Sequence, residues 1–466
     1  MSEVDIASNG AADVASRLDR LPSTPRLWSW VMKVSLGGFF EVYDLALTAL
    51  LSPLWVKAGL FRETTSGFFG LPDQASFAFA TMLGLYVGSL GCSVAADRYS
   101  RRATFLAAML WYALGTVLMG LQQHALGLCI WRFIASIGIG AELVVVDCYL
   151  AEISPKAMRG RVFSISKAVQ LSAIPLAGLL AKFLGPHDWL GIAGWRWLAF
   201  LPSIGALAVI MMRRGIPESP RWLASKGRLL EARSIVDAFE KYVFARGEML
   251  LPATVTPSPP KQDSRFSDLF RRPHRKRVLM LIIATPASSI AFYGFAQWAP
   301  TLLEHQGASI TKSFLYVAMI GVAYPLSPLL ASLFSDRIER KWQIAITGFF
   351  VAMFGVLFAQ QSFPLMWVVL GVLLTLSSEM NSTANHTYRS ELFPTSLRAR
   401  AIGFVYSFDR LGTAFSSYLI ATVLLHTGVR GVFWLLAFFM GICVFTTLLF
   451  GPRTLGRAYE EIDVNE

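Results

Sequence analysis

Several ionisable side chains sit inside stretches that are otherwise apolar enough for lipid, where each costs at least roughly 2.5 kcal/mol. Asp44 lies in the first such stretch and Arg132 in the fourth. At a rise of about 1.5 Å per residue, the two stand eight and seven residues from the outer ends of their stretches, so they reach nearly the same depth and can pair. A carboxylate beside an arginine stays ionised, and takes a proton when the arginine swings away or finds another anion. That exchange is a physical basis for proton coupling; the alternative is a static buried pair that only orients helices. Glu41 precedes Asp44 by three residues, near one helix face. Either the two carboxylates share a proton, or Glu41 hydrogen-bonds a neighbouring helix.

Lys167 in the fifth stretch either meets an anionic group of a substrate or neutralises Asp147 or Glu142 of the fourth. Asp409 and Arg410 project about 100° apart, so one of them is expected to face a cavity. Arg410 suits bidentate bonding to a carboxylate, or else bridges to a neighbouring helix. His386 titrates in a useful range, though a lone helical histidine often only packs. Glu379, Asn381, Ser382 and Asn385 make its stretch polar, which suits a water-filled cavity better than lipid. Phe39, Phe40, Tyr43, Tyr293 and Trp298 are further cavity candidates.

The elements that must hold these groups are membrane helices. The chain has 466 residues, 54% hydrophobic and only 15% charged, with mean hydropathy +0.51; a soluble domain carries roughly 25% charged residues. Apolar runs of about 20 residues lie near 28–52, 74–96, 103–122, 125–151, 161–184, 193–212, 278–303, 312–334, 341–360, 364–388, 399–425 and 431–450. They predict an all-α membrane protein of twelve transmembrane helices in two six-helix bundles. The first run is no cleavable signal peptide: its charges are internal and no small-residue cleavage site follows.

With both termini cytoplasmic, 32 of the 42 Lys and Arg fall inside and six outside, as the positive-inside rule requires. Residues 213–277 alone carry 15 basic and seven acidic residues. That loop reads as a retention signal facing anionic lipid, so the formal charge of +12 needs no nucleic acid. Cys92, Cys129, Cys148 and Cys443 lie in apolar runs without metal-ligand spacing and read as packing residues. No nucleophile–base pair, phosphate loop or metal cluster supports an enzyme, and no cofactor is expected.

The chain is also a duplicated half. Glu152 to Arg161 and Glu391 to Arg400 both read E-x-x-P-x-x-x-R-x-R, while Asp97 to Arg102 and Asp336 to Lys341 both read D-R-x-x-R-[RK]. Both pairs are offset by 239 residues. Duplicated membrane halves suit a transporter, whose two bundles rock about a site between them. Residues 1–27 are expected to be a mobile cytoplasmic tail, 28–212 the first bundle, 213–277 a cytoplasmic linker, 278–450 the second bundle and 451–466 a tail. Within the linker, Leu229, Ala232, Val236, Phe239 and Val243 keep the spacing of an amphipathic helix, and Pro252, Pro257, Pro259 and Pro260 mark a flexible stretch. Residues 53–73, with Trp55, Phe61, Phe68 and Phe69, form an external loop that either packs or acts as a lid.

These residues resemble the major facilitator superfamily, and most closely its sugar porter branch and metabolite:proton relatives. The D-R-x-x-R-R stretch resembles the family's signature loop, with Ser93, Ser100, Ser332 and Glu339 where glycines are usual. Arg132-x-x-x-x-x-Gly138-x-Gly140, Pro217-Glu-Ser-Pro-Arg-Trp222 and Glu41-Val-Tyr-Asp44 follow branch patterns. The resemblance implies that Asp44 is the proton-coupling aspartate with Arg132 its partner and Glu41 beside them. It implies a conformational latch of Asp97, Arg98, Arg101, Arg102, Glu152, Arg159, Asp336, Arg337, Glu391 and Arg398. The hexose signatures are replaced: Ala287 and Ser288 stand where a Gln pair is expected before Gln297-Trp-Ala-Pro300, Lys167 where a sugar-contacting Gln is, and His386 where a stacking Trp is. Losing amides and gaining cations suits an acid, as in bacterial carriers of niacin, aromatic acids or other small organic acids.

The expectation is therefore a monomeric inner-membrane importer of a small organic anion with proton symport. Its substrate-binding candidates are Lys167, Gln170, Tyr293, Gln297, Asn385, His386 and Arg410. A neutral sugar or polyol symporter, an exporter of lipophilic compounds and a non-transporting membrane receptor are the alternatives.

Overall fold

The computed structural model describes residues 3–62, 72–98, 100–212, 216–247, 249–250, 266–271, 274–334, 337–393 and 395–454. Helix starts follow local chemistry. Helix α2 (Pro25–Lys57) opens with Pro25 in its first turn and Thr24 as N-cap, whose hydroxyl accepts from Leu27 N at 3.3 Å. After α3 (Asp73–Arg98) comes α4 (Arg101–Gly120), which Ser100 caps by accepting from Ala103 N at 2.9 Å. The first half continues with α5 (Ala125–Ile153), α6 (Arg159–Leu171), α7 (Ala173–Leu184) and α8 (Gly194–Met212).

The second half holds α11 (His274–Ala296), α12 (Ala299–His305), α13 (Ile310–Gly321), α14 (Ala323–Phe334), α15 (Arg340–Gln360), α16 (Pro364–Glu391) and α17 (Thr395–Phe450). Helix α17 turns sharply at Gly428, whose φ of 69° and ψ of −166° only glycine adopts readily. The apolar runs all fall on helices, but three of them are broken: at Ser172 between α6 and α7, after Ala296 between α11 and α12, and at Val322 between α13 and α14. Ten helical stretches among the described residues are long and apolar enough to cross a membrane; one of them, Arg400–Phe450, contains the Gly428 turn. Among the described residues the exception to an all-α fold is a small hairpin, Asp188–Trp189 with Ile192–Ala193, turned by Leu190 and Gly191 at positive φ.

The N-terminal tail departs from expectation. Residues Glu3–Asp19 form α1, which lies on α9 (Pro220–Ser225) and α10 (Leu229–Phe244). Val14 and Leu18 join Ala232, Val236, Phe239 and Val243 in one buried cluster, so the amphipathic face of α10 meets a helix as well as the bundle. Arg17 pairs with Asp237 and Glu240 at 2.5 and 2.6 Å, and Arg20 with Glu240 at 2.6 Å. Asp19 accepts from Arg221 at 2.7 Å and from Lys156 N at 2.8 Å, tying this pad to the α5–α6 connection. The tail looked mobile because its polar composition hides a partner that arrives only after position 220. The proline-rich stretch of the linker, Pro252 to Pro260, lies outside the described residues.

In the external loop, Trp55 and Phe61 pack on each other and on Phe77, with centroids 4.8 to 5.9 Å apart; Phe68 and Phe69 lie outside the described residues. The halves meet along two seams, α3 with α17 and α6–α7 with α13–α14. At the end where α3 begins they touch: Gln74 donates to Thr301 at 2.9 Å, and Phe79 lies 5.5 Å from Phe415 and 5.1 Å from Tyr418. Farther along, Gly178 faces Ala318 so closely that a Cβ there would sit 3.0 Å from the Ala318 backbone. Toward the end bearing α1, α9 and α10 the seam opens, and His386, Lys167 and Asp147 reach solvent.

Candidate functional site between the halves

Arg132 of α5 is anchored from α2 and α3. Its Nη1 donates to Asp44 Oδ2 at 2.8 Å, and its Nη2 to Asp44 O and Thr48 Oγ1 at 2.9 and 2.8 Å, all on α2. Its Nε donates to Thr81 Oγ1 of α3 at 3.1 Å. Phe77 of α3 lies 5.5 Å beneath the guanidinium, and Thr116 of α4 donates to Asp44 Oδ1 at 3.5 Å. Both side chains of the pair are 0% exposed. A buried ion pair is tolerable only with its remaining polar atoms bonded, and here the threonines and the Asp44 carbonyl do this.

Glu41 faces elsewhere. It is 1% exposed, and its Oε1 has no hydrogen-bond partner. The charges that weigh most on it are Glu142, Lys167, Asp147 and Arg410. The second carboxylate beside Glu41 is therefore Glu142 rather than Asp44: one turn of α2 sends Asp44 into the first bundle and Glu41 toward the cleft.

Lys167 lies 3.5 Å from Asp147 Oδ1 and donates to Gln170 Oε1 at 3.4 Å. The lysine and aspartate side chains are 36% and 47% exposed. Gln170 in turn donates to Ser166 at 2.9 Å, and Ser166 meets Ser35 at 2.8 Å. Gly38 gives Gln170 its room, because a Cβ there would come within 2.7 Å of the amide carbon. Of the two readings of Lys167, pairing with Asp147 is what the geometry holds, while Glu41 and Tyr406 also lie within its electrostatic reach.

In the second half, Arg410 Nη1 donates to Tyr293 OH at 2.8 Å and its guanidinium stands 5.5 Å over the same ring. No carboxylate among the described residues is within ion-pair distance of Arg410. His386 Nδ1 meets Tyr406 OH at 2.6 Å, and Arg389 lies 4.9 Å over the Tyr406 ring. Asn385 donates to Asn381 Oδ1 at 2.9 Å, Ser288 donates to the same atom at 3.0 Å, and Asn381 donates to Thr347 at 2.9 Å. Asn385 thus belongs to a buried amide network. Gln297 sits buried between α11 and α12 without a hydrogen bond from its side chain to this cluster. Tyr43 and Trp298 lie in apolar cores instead of the cleft.

Tyr406 was absent from the sequence candidates although the repeat points to it. Adding 239 to Asp147 and Lys167 gives His386 and Tyr406, so the ion pair of one half occupies the place of the histidine–tyrosine hydrogen bond of the other.

At the helix ends near the pad, Arg101 pairs with Glu152 at 3.3 Å and Arg340 with Glu391 at 3.1 Å. The second basic partner is Arg340, three residues after Arg337, which is exposed. Arg102 N donates to the Glu218 carboxylate at 3.3 Å, and Arg159 lies near Arg221 and Asp19. Glu391 also accepts from Thr454 at 2.5 Å. Asp336 and the side chains of Asp97, Arg98 and Arg398 lie outside the described residues.

Comparison with known proteins places this architecture. The family model for sugar (and other) transporters matches residues 30–465. The niacin transporter NiaP of Acinetobacter baylyi is 26% identical, covering 97% of this chain and 99% of its own. The arabinose-proton symporter of Bacillus subtilis is 26% identical over 92% of each. The xylose transporter XylE from E. coli, in an inward-open conformation, superposes with a TM-score of 0.72 at 19% identity, over 94% of this chain and 99% of that one. Family and relatives are membrane transporters, not enzymes. A duplicated helical chain with a charged cleft between its halves, matched end to end by such carriers, belongs to the sugar (and other) transporter family.

Proposed function

We propose that the protein is a proton-coupled carrier of a small organic carboxylate, working by alternating access between two six-helix bundles. One observation supports the substrate class: Arg410 donates to Tyr293 OH, and no carboxylate among the described residues lies within ion-pair distance of it. A substrate carboxylate would complete it with charge-assisted bonds. Asp44 and Arg132 form the coupling pair. Arg101, Glu152, Arg340 and Glu391 brace the helix ends in one conformation, with Asp97, Arg98, Arg102, Arg159, Asp336, Arg337 and Arg398 in the same latch. In this reading twelve spans cross the inner membrane with both termini, α1, α9 and α10 on the cytoplasmic side, which the distribution of Lys and Arg supports, so the open end of the cleft faces inward and the carrier acts as a monomer.

The name of NiaP suits this reading; that of the arabinose-proton symporter suits a second one, a neutral sugar or polyol carrier. In its favour, the Ser288–Asn381–Asn385 and Ser166–Gln170 networks supply the amide and hydroxyl groups a polyol needs. Ligand-induced thermal stabilisation of the purified protein separates the two, since a ligand that binds only the folded state raises its melting temperature. Small carboxylates are expected to stabilise it and pentoses not. The Arg410→Gln variant is expected to lose roughly 10- to 100-fold in carboxylate affinity, from the roughly 1.5–3 kcal/mol of a hydrogen bond to a charged group. Unchanged carboxylate affinity in that variant sinks the proposal.

A further inference from the structure

Arg410 is not alone among the second half's guanidiniums in lacking a carboxylate. Arg389, in the last turn of α16, is 5% exposed. Its Nε donates to Asn385 O at 3.2 Å, and its guanidinium stands 4.9 Å over the Tyr406 ring. Its Nη1 is buried without a hydrogen bond, and no carboxylate among the described residues lies within ion-pair distance of it. A helix C-terminus favours a cation, but one carbonyl leaves most of the guanidinium's N–H donors without an acceptor. A buried charge in that condition is costly.

Arg389 and Arg410 belong to one patch. His386 lies one turn before Arg389 on α16, and Tyr406 one turn before Arg410 on α17. His386 Nδ1 meets Tyr406 OH at 2.6 Å, so this hydrogen bond stands between the two arginines, whose charges both act on His386 and on Tyr406. Asp409 acts on Arg410 from a distance, but it leaves α17 about 100° away, is 4% exposed, and forms an ion pair with neither arginine. Neither arginine is part of the shared scaffold: 239 residues earlier stand Leu150 and Leu171. In the first half, Asp147 and Lys167 answer each other at the places of His386 and Tyr406. The second half has gained two cations there and no anion to match them.

We infer that the substrate is a dicarboxylate, with one carboxylate on Arg410 and Tyr293 and the other on Arg389, spanning the His386–Tyr406 pair. The second carboxylate reaches Arg389 when the Tyr406 ring moves aside, and it supplies the acceptor that Nη1 lacks. The inference rests on the carboxylate reading of Arg410 and adds the second anionic group. A monocarboxylate answers one arginine and leaves the other as it was.

The test compares matched ligands on the full-length protein in detergent, by thermal stabilisation at neutral pH. Malonate, succinate, glutarate and adipate are each set against the straight-chain monocarboxylate of the same carbon number, and terephthalate against benzoate, with a pentose as control. The expected result is that at least one diacid binds about tenfold more tightly than its matched monoacid, from the charge-assisted bonds that only the second carboxylate makes. Arg389→Gln should bring that diacid down to the affinity of its monoacid while the monoacid keeps its own. A general loss of fold weakens both ligands alike, so the ratio isolates the arginine. Should that variant not fold, Arg389→Lys keeps the charge without the planar fork and should reduce the ratio. Monoacids that bind as tightly as every diacid, or a diacid preference that survives the change at Arg389, overturn the inference and leave the carboxylate reading standing. Stabilisation by the pentose, with none from any acid, removes both.

Discussion

The two halves share a scaffold and differ in what it carries. Arg101–Glu152 and Arg340–Glu391 are the same ion pair 239 residues apart, at 3.3 and 3.1 Å. Tyr149 donates to Pro217 O at 2.8 Å, and Tyr388, also 239 residues on, donates to Pro452 O at 2.9 Å. These contacts hold helix ends, and any bundle that rocks needs them, so both copies keep them. The cleft-facing positions have diverged. Asp147 and Lys167 became His386 and Tyr406, Glu142 became Asn381, and Arg132 has Gly371 at its repeat position. The first half holds the buried ion pair and most of the acid; the second holds the neutral networks and the isolated guanidinium. On the proposed function, duplication supplies two moving parts, and divergence leaves the coupling pair in one half and the anion contact in the other.

The largest effect expected from breaking this division is at Arg132. Arg132→Leu strands Asp44 in a dry site and should destabilise the protein by roughly 3–5 kcal/mol, as when one partner of a buried pair is removed. Asp44→Asn is expected to fold and bind substrate yet lose pH-driven uptake in proteoliposomes. A double variant that transports normally would make the pair architectural. Next is the pair that diverged: Lys167→Gln should cost less than about 1 kcal/mol in a thermal melt, because its bridge to Asp147 is half-exposed. A much larger loss would mean that Lys167 holds the buried Glu41 as well.

A smaller effect sharpens the shared scaffold. Double-mutant cycles on Arg101–Glu152 and Arg340–Glu391 should each give roughly 0.2–1 kcal/mol and nearly the same value, because Arg340 is more buried than Arg101 (6% against 13% exposed) while Glu391 is less buried than Glu152 (27% against 20%). Clearly unequal values would mean that the two copies no longer carry the same load.

The smallest effect concerns the pad, which among the described residues only the first half possesses. Burial pushes the Glu240 carboxyl up, but the guanidiniums of Arg17 and Arg20 outweigh it and hold it below its ordinary value of 4.5. A lowered folded value means that the stabilisation is present above the unfolded value and is lost as pH falls through the folded one. Protection of the α1 amides, relative to the intrinsic exchange rate at each pH, should therefore be unchanged from pH 7 to pH 5 and fall on further acidification. Release of α1 between pH 7 and 5 would exclude the Glu240 clamp as its cause.

Much of this was legible in the residues. Helix boundaries followed the apolar runs closely, as with 125–151 against Ala125–Ile153, because lipid demands length and hydropathy together. The depth argument brought Asp44 and Arg132 together, since helices fix height. The breaks at Ser172 and Val322 were legible but unused: Pro175 and Pro325 follow them by three residues, and a proline leaves the carbonyl four residues before it, that of Leu171 or Gly321, without its helical donor. Direction around a helix was hidden. Three residues separate Glu41 from Asp44, and that turn is enough to place them in different compartments of the fold. Tyr406 escaped because a tyrosine among apolar residues carries no signal until it is aligned with Lys167 of the other half.

The four-helix wrapping of Asp44 has a bearing on leakage. An acid standing in the wet mouth of the cleft would exchange protons with the open side at every visit, and each idle return of an empty carrier would dissipate the gradient. Asp44 is closed off by Arg132, three threonines and Phe77, and exposed to neither water nor the cleft. Proton exchange then has to wait for a rearrangement that parts these helices, so the rate of slip is set by the opening of a packed bundle and not by diffusion of hydronium. The same packing that makes the pair look structural is what would keep an unloaded carrier from short-circuiting the membrane.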